Sequence, residues 1–359
     1  MTRFVIGLGL LIAGVSSAQE ARSGFDLEVN LTAEAVFSPQ LTSAPRFGSG
    51  AAAGFRAMLY PTWKLSSHWS FVGSVQVLTR PYLLEQFNTQ GSGVRADILQ
   101  GHLDYSLIGK NSSIVVRAGQ LSSAFGSFLL RYDDTVNPLT DMPLSYGYYY
   151  KPVTTYGLAG AQVDVTHRRL DARIQWVNSS PANRRSLADK DQYGNWAGGV
   201  GLTIAQGLRV GASGFYGPYL DRQYPYYFPG EARPRDLPAS GVGIEGGWAK
   251  GHWNTMGELQ WFTRDYRAIP TFTQRAGYIE SRRTFGPRWF AAARVSFLTE
   301  TESAPTRLYE IAIGFRPNTK QLLKVEYQLP IESEPTKGSG SGLVIQFVTS
   351  LHPISLARD

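Results

Sequence analysis

Apolar and polar residues alternate along most of this chain, and the alternation comes in sixteen short runs. The gaps between the runs go short, long, short, long. Side chains of a β-strand point to opposite faces in turn, so each run describes a strand with one apolar and one polar face. Arg288 to Phe297 puts Trp289, Ala291, Ala293, Val295 and Phe297 on one face. Arg307 to Phe315 does the same with Tyr309, Ile311, Ile313 and Phe315. Such strands, joined by short turns on one side and longer loops on the other, are the pattern of a closed transmembrane barrel. A soluble sandwich or propeller would not need the strict alternation of gap lengths.

The spacing predicts strands over 25–37, 52–64, 69–79, 95–107, 113–121, 157–166, 169–178, 194–205, 207–216, 241–249, 252–263, 276–285, 288–298, 307–316, 320–328 and 342–351. Short turns follow the even-numbered strands. The long loops, Ser122 to Tyr156 the longest, follow the odd-numbered ones. The fold class expected is therefore all-β: a transmembrane antiparallel β-barrel of sixteen strands. An even count leaves both termini on the short-turn, periplasmic side.

The N-terminus reads as a signal peptide over residues 1–18, with the barrel domain over 19–359. Arg3 is the positive region, Phe4 to Val15 the apolar core, and Ser16-Ser17-Ala18 the cleavage site. That core is shorter than the ~20 residues a spanning helix needs. The expected location is the cell outer membrane, reached through this cleaved signal. The chain has no cysteine, which excludes disulfides and a lipid-modified cysteine. Aromatics are 13% of the chain and rich in Tyr and Trp, as interfacial girdles require. The net charge is +7, but no basic block stands out, so nucleic acid is not an expected partner.

If apolar residues face lipid, their neighbours face the lumen. That parity places Glu28, Glu34, Arg56, His102, Asp104, Arg117, Asp164, Asp171, Arg173, Arg209, Glu245, Glu258, Arg294, Glu310, Lys324 and Glu326 inside. It is broken in strand twelve, where Glu280 and Arg282 share one face and Arg283 takes the other. A sixteen-stranded barrel leaves an aqueous channel where an eight-stranded one fills with side chains. His102 and Asp104 share a face, but no nucleophile motif accompanies them, so an enzyme is not expected. No His cluster has metal-ligand spacing, and no cofactor is expected.

Three stretches carry a family resemblance. They are Gly119-Gln120 with Phe125-Gly126, Asn137-Pro138-Leu139-Thr140-Asp141, and the hairpin from Gly277-Tyr278 through Arg282, Phe285 and Pro287 to Trp289. With them the chain resembles the phosphate-selective porin O/P family of bacterial outer-membrane porins. The resemblance implies a third extracellular loop folded into the barrel, with Arg131, Asp133, Asp134, Asp141 and Lys151 at the channel constriction. Two basic residues against three acidic ones predict weak ion selectivity without a specific phosphate site. The function expected is passive diffusion of small hydrophilic solutes or ions. The alternative is a structural or adhesive barrel with a plugged lumen, its tip formed by Tyr224, Tyr226, Tyr227 and Phe228. Expected partners are outer-membrane lipid and lipopolysaccharide, the barrel-assembly machinery, and two further copies in a homotrimer.

Overall fold

The computed structural model describes residues 23–39, 41, 50–80, 82, 93–129, 133–146, 157–178, 194–218, 237–266, 270–301, 304–332 and 340–357. Residues 1–18, expected as a signal peptide, lie outside them. Sixteen antiparallel strands follow one another in chain order. They are β1 (Gly24–Phe37), β2 (Ala51–Lys64), β3 (Trp69–Arg80), β4 (Gly93–Ile108), β5 (Ser112–Leu121), β6 (Leu158–His167), β7 (Leu170–Val177) and β8 (Asn195–Ala205), then β9 (Leu208–Pro218), β10 (Pro238–Lys250), β11 (Trp253–Arg264), β12 (Phe272–Thr284), β13 (Trp289–Glu300), β14 (Thr306–Phe315), β15 (Gln321–Glu332) and β16 (Gly342–Ala357). Each pairs with its neighbours, and β1 pairs with β16 to close the barrel. Closure leaves no unpaired edge.

The two faces differ as the alternation requires. Outward side chains are apolar and exposed, with Ile311 and Val242 each 60% exposed. A continuous apolar belt of this extent cannot face water in an isolated molecule and marks a membrane-facing wall. Trp63, Trp69, Trp248, Trp253 and Trp289 sit near the short-turn ends on this outward side. Arg283, which broke the parity of strand twelve, belongs to this girdle. Its guanidinium lies over the rings of Trp253 and Phe285, 5.2 and 5.3 Å from their centres. Aromatic faces stabilise a cation there without a carboxylate.

Two irregularities carry sequence signatures. Pro61 of β2 has no N–H, and a Cβ on the facing Gly73 of β3 would meet the Pro61 ring at 2.8 Å, so only glycine gives that ring room. The second irregularity corrects a boundary. Residues 352–357 were expected to follow the last strand as a tail, but β16 continues through them to Ala357. The N-terminal end of β1 supplies the partner, with Gly24 facing Ala357 and Leu27 facing Ile354. The register slips between Leu27 and Val29, where Glu28 faces both His352 and Pro353. A bulge absorbs the proline's missing donor. Strands β10, β12 and β15 also run three or four residues further into the loops than their alternation suggested.

Candidate functional site

The inward face is polar, buried and paired with itself. On β4 to β6, Arg117 joins Asp164 at 2.5 Å and Asp104 at 3.6 Å, and Asp104 holds His102 Nδ1 at 2.5 Å. On β7 to β10, Arg209 bridges Asp171 and Glu245, both at 2.6 Å. The Arg209 guanidinium lies where a Cβ on Gly201 would stand, so the glycine makes its path across β8. On β12 to β14, fully buried Arg294 joins Glu280 at 3.2 Å and grips both oxygens of Glu310. Glu34 accepts from Gln346 at 2.9 Å. Charges of both signs thus alternate around the wall and neutralise each other locally.

The loop after β5 lies against this face. Its first stretch runs past β7, β9 and β11. Arg173 donates to the carbonyls of Ala124 and Gly126, at 2.9 and 2.5 Å. Gln175 donates to the Ser122 carbonyl and accepts from the Ala124 N–H. Phe125 is buried among Ala197, Phe215, Leu237, Ala239 and Phe262. Gly126 follows with φ +75°, the left-handed region that glycine enters freely, and its N–H donates to Ser213 Oγ at 3.1 Å. The Ser127 N–H donates to Glu258 at 2.9 Å, and the Ser127 and Tyr146 hydroxyls also donate to that carboxylate. Gln260 Nε2 donates to the same carboxylate at 3.0 Å.

The second stretch turns against β13 to β16 and then β1 and β2. The Lys324 ammonium donates to the carbonyls of Asp134, Asn137 and Leu139, at 3.1, 3.1 and 2.9 Å. A turn of the loop is therefore wrapped around one wall lysine. Asn137 Nδ2 closes that turn on the Asp141 carbonyl at 3.0 Å. The Thr140 N–H donates to Glu326 at 2.5 Å, and Arg294 Nη2 donates to the Asp141 carbonyl at 2.9 Å. Leu139 is buried with Phe290, Ala292, Ala312, Leu322 and Val348.

Of the residues expected at a constriction, Arg131 and Lys151 lie outside the described residues. The three aspartates are all buried; Asp133 and Asp134 bond to the wall, and the Asp141 carboxylate accepts from the Met142 N–H at 2.6 Å. Asp133 accepts from Tyr60 and Asn30, and from the Thr135 hydroxyl at 2.6 Å. Asp134 accepts from Arg56 Nε at 3.0 Å, Thr32 at 2.7 Å and Tyr82 at 3.2 Å. Burial pushes its carboxyl up, but Arg56 and Lys324 outweigh burial and hold it below its ordinary range.

Asp141 goes the other way. Burial raises its carboxyl from 3.8 to about 6, although the Met142 N–H and Arg294 favour the anion. Glu326 adds to the rise and Arg56 opposes it. A raised carboxyl means that the docked loop takes up a proton the freed loop would not hold. That contribution is full below the ordinary value and is lost as pH rises through about 6. Asp134 contributes oppositely, but only below its ordinary range. Protease cleavage within 133–146 should accordingly be slower near pH ~5 than near pH ~8, and Asp141→Asn should flatten that difference. Equal cleavage at both pH values in the unsubstituted protein would count against the assignment.

Parity puts Tyr60 and Tyr278 on the inward face with Arg56 and Glu280, but it could not find Tyr82, Ser127 or Tyr146, which lie in loops and whose hydroxyls complete these contacts. Glu28 lines a cavity at the short-turn end with Thr135, Val136, Arg316 and Lys320. Arg316 Nη2 there donates to the Thr135 carbonyl at 2.8 Å. Among the described residues no three His, Cys, Asp or Glu side chains gather as metal ligands.

No family model and no curated protein matches the sequence. Solved structures do. The anion-selective porin from Comamonas acidovorans superposes with a TM-score of 0.63 at 10% identity, over 92% of this chain and 100% of that one. The outer-membrane channel DcaP of Acinetobacter baumannii gives 0.62 at 11% identity, over 95% and 100%. Salmonella typhi OmpF, solved in complex with daunomycin, gives 0.60 at 9% identity, over 91% and 97%. At these identities the likeness is one of fold, and the fold is that of proteins known as outer-membrane channels.

Proposed function

We propose that this chain is a porin-like channel of the bacterial outer membrane, passing small hydrophilic solutes and ions by passive diffusion with weak selectivity. The observation that carries the reading is the charge-paired inward face, with the third loop bonded along it. A water-filled lumen suits a wall of ionised side chains, and a loop seated on that wall narrows the lumen without closing it. Selectivity is weak because selection needs a one-signed field at the narrowest point. The described loop carboxylates are spent on Arg56, Tyr60 and the loop's own backbone. Specific phosphate transport is not part of the reading, and the residues of the porin O/P resemblance serve here as loop anchors. The same reading includes a cleaved signal over residues 1–18, insertion by the barrel-assembly machinery, contact with lipopolysaccharide and a homotrimeric assembly.

Planar-bilayer recording tests it. Purified, folded protein should give stepwise currents, and a salt gradient should give a small reversal potential. A strongly anion-selective value suppressed by millimolar phosphate would overturn weak selectivity. Absence of steps would favour the second reading, a structural or adhesive barrel with a plugged lumen. One observation keeps that reading in play: the loop is bonded to strands on both sides of the closure, from β7 through β16 to β2. Tyr224, Tyr226, Tyr227 and Phe228, the tip that reading invokes, lie outside the described residues.

A further inference from the structure

The outward wall carries two basic side chains that the fold does not neutralise. Arg275 of β12 and Arg307 of β14 are both exposed and share the outward parity of Ile279 and Ile311. Among the described residues neither forms an ion pair, a hydrogen bond or a ring contact. Arg283, the outward arginine at the short-turn end, is by contrast covered by two aromatic rings. Arg275 faces Thr299 and Arg307 faces Phe297 across β13. Two strand spacings and a two-residue offset put their α-carbons about 12 Å apart, so two extended guanidiniums can converge on one ligand.

Between them is a groove of about 390 Å³, lined by Val295, Phe297, Thr299, Pro305, Arg307 and Tyr309. Its floor is apolar and faces the membrane. Its rim lies at the long-loop end of β13 and β14, where a charge on the lipid face costs least. The site thus offers an apolar trough with Arg307 in its lining and Arg275 one strand away, opposite Thr299.

We propose that this groove holds a phosphorylated glycolipid of the outer leaflet, lipopolysaccharide, with phosphates on Arg275 and Arg307 and an acyl chain along Val295, Phe297 and Tyr309. The proposal rests on the outer-membrane reading and deepens its lipid contact to two residues. Charge complementarity selects this occupant. Arginine forks match phosphate oxygens bidentately. A second copy of the chain would bring no counter-charge, because no described strand places an Asp or Glu on the outward face. A free oxyanion would leave the apolar trough unfilled.

The test measures glycolipid retained by the detergent-purified full chain, read by native mass spectrometry and by thermal stability. Added lipopolysaccharide should raise the unfolding temperature of the unsubstituted protein. Arg275→Gln with Arg307→Gln should weaken that binding about tenfold or more, and the double lysine variant should retain part of it. Lipopolysaccharide stripped of its phosphates should bind like the double glutamine variant, and millimolar inorganic phosphate should not compete. Unaltered single-channel steps in the double variant would show a folded barrel, so lost glycolipid binding could not be traced to misfolding or to failure of the channel reading. Equal retention by the double variant, or binding indifferent to the phosphates, would overturn the proposal. An oligomer that dissociates in the double variant without added lipid would assign the surface to a second copy instead.

Discussion

Arg294→Met should be the most destabilising single substitution in the described lumen. Arg294 is fully buried between Glu280 and Glu310, whose side chains are 3% and 0% exposed. Its removal takes the cation from the buried Glu310 carboxylate, takes one partner from Glu280, and deprives the Asp141 carbonyl of a donor. Breaking a buried pair from one side costs about 3–5 kcal/mol, because the remaining charge is left without compensation. The measurement is denaturant unfolding from detergent micelles. The physical cause can be isolated by adding Glu280→Gln and Glu310→Gln, which remove the carboxylate charges. The triple variant should recover part of the loss, since a buried neutral amide costs far less than a buried unpaired carboxylate. A triple variant as unstable as the single one would point to lost packing instead.

Lys324→Met should leave the barrel standing and free the loop. Its ammonium is the shared donor for the carbonyls of Asp134, Asn137 and Leu139. A buried acceptor left unpaired costs about 1–3 kcal/mol, and here three lose their donor together. The same substitution removes one of the two cations that keep Asp134 ionised. We expect larger or noisier single-channel conductance and faster protease cleavage within 133–146, with an unchanged unfolding midpoint for the barrel. Unchanged conductance with a protected loop would mean that Arg56 and Glu326 hold the turn without the lysine.

The alternation was legible because parity is a local property. Which face a strand residue occupies depends only on counting by two, and burial of one face pins the register. Strand number and closure-compatible turn lengths follow from that count. Even the misfit at Arg283 was visible as a misfit, although its two aromatic neighbours were not. The bulge at His352 and Pro353 was hidden because the proline read as a stop. The chain continues past it only because β1 offers unpaired partners.

By itself, then, the sequence determined a barrel of sixteen alternating strands. Tertiary structure alone decided what the inward side chains hold. Lys324 and Asn137 are 187 positions apart, and Glu258 and Ser127 are 131 apart. Nothing periodic links such pairs. They meet because closure of the barrel brings opposite walls within reach of one loop, and because each buried charge settles against whatever polar partner that loop presents.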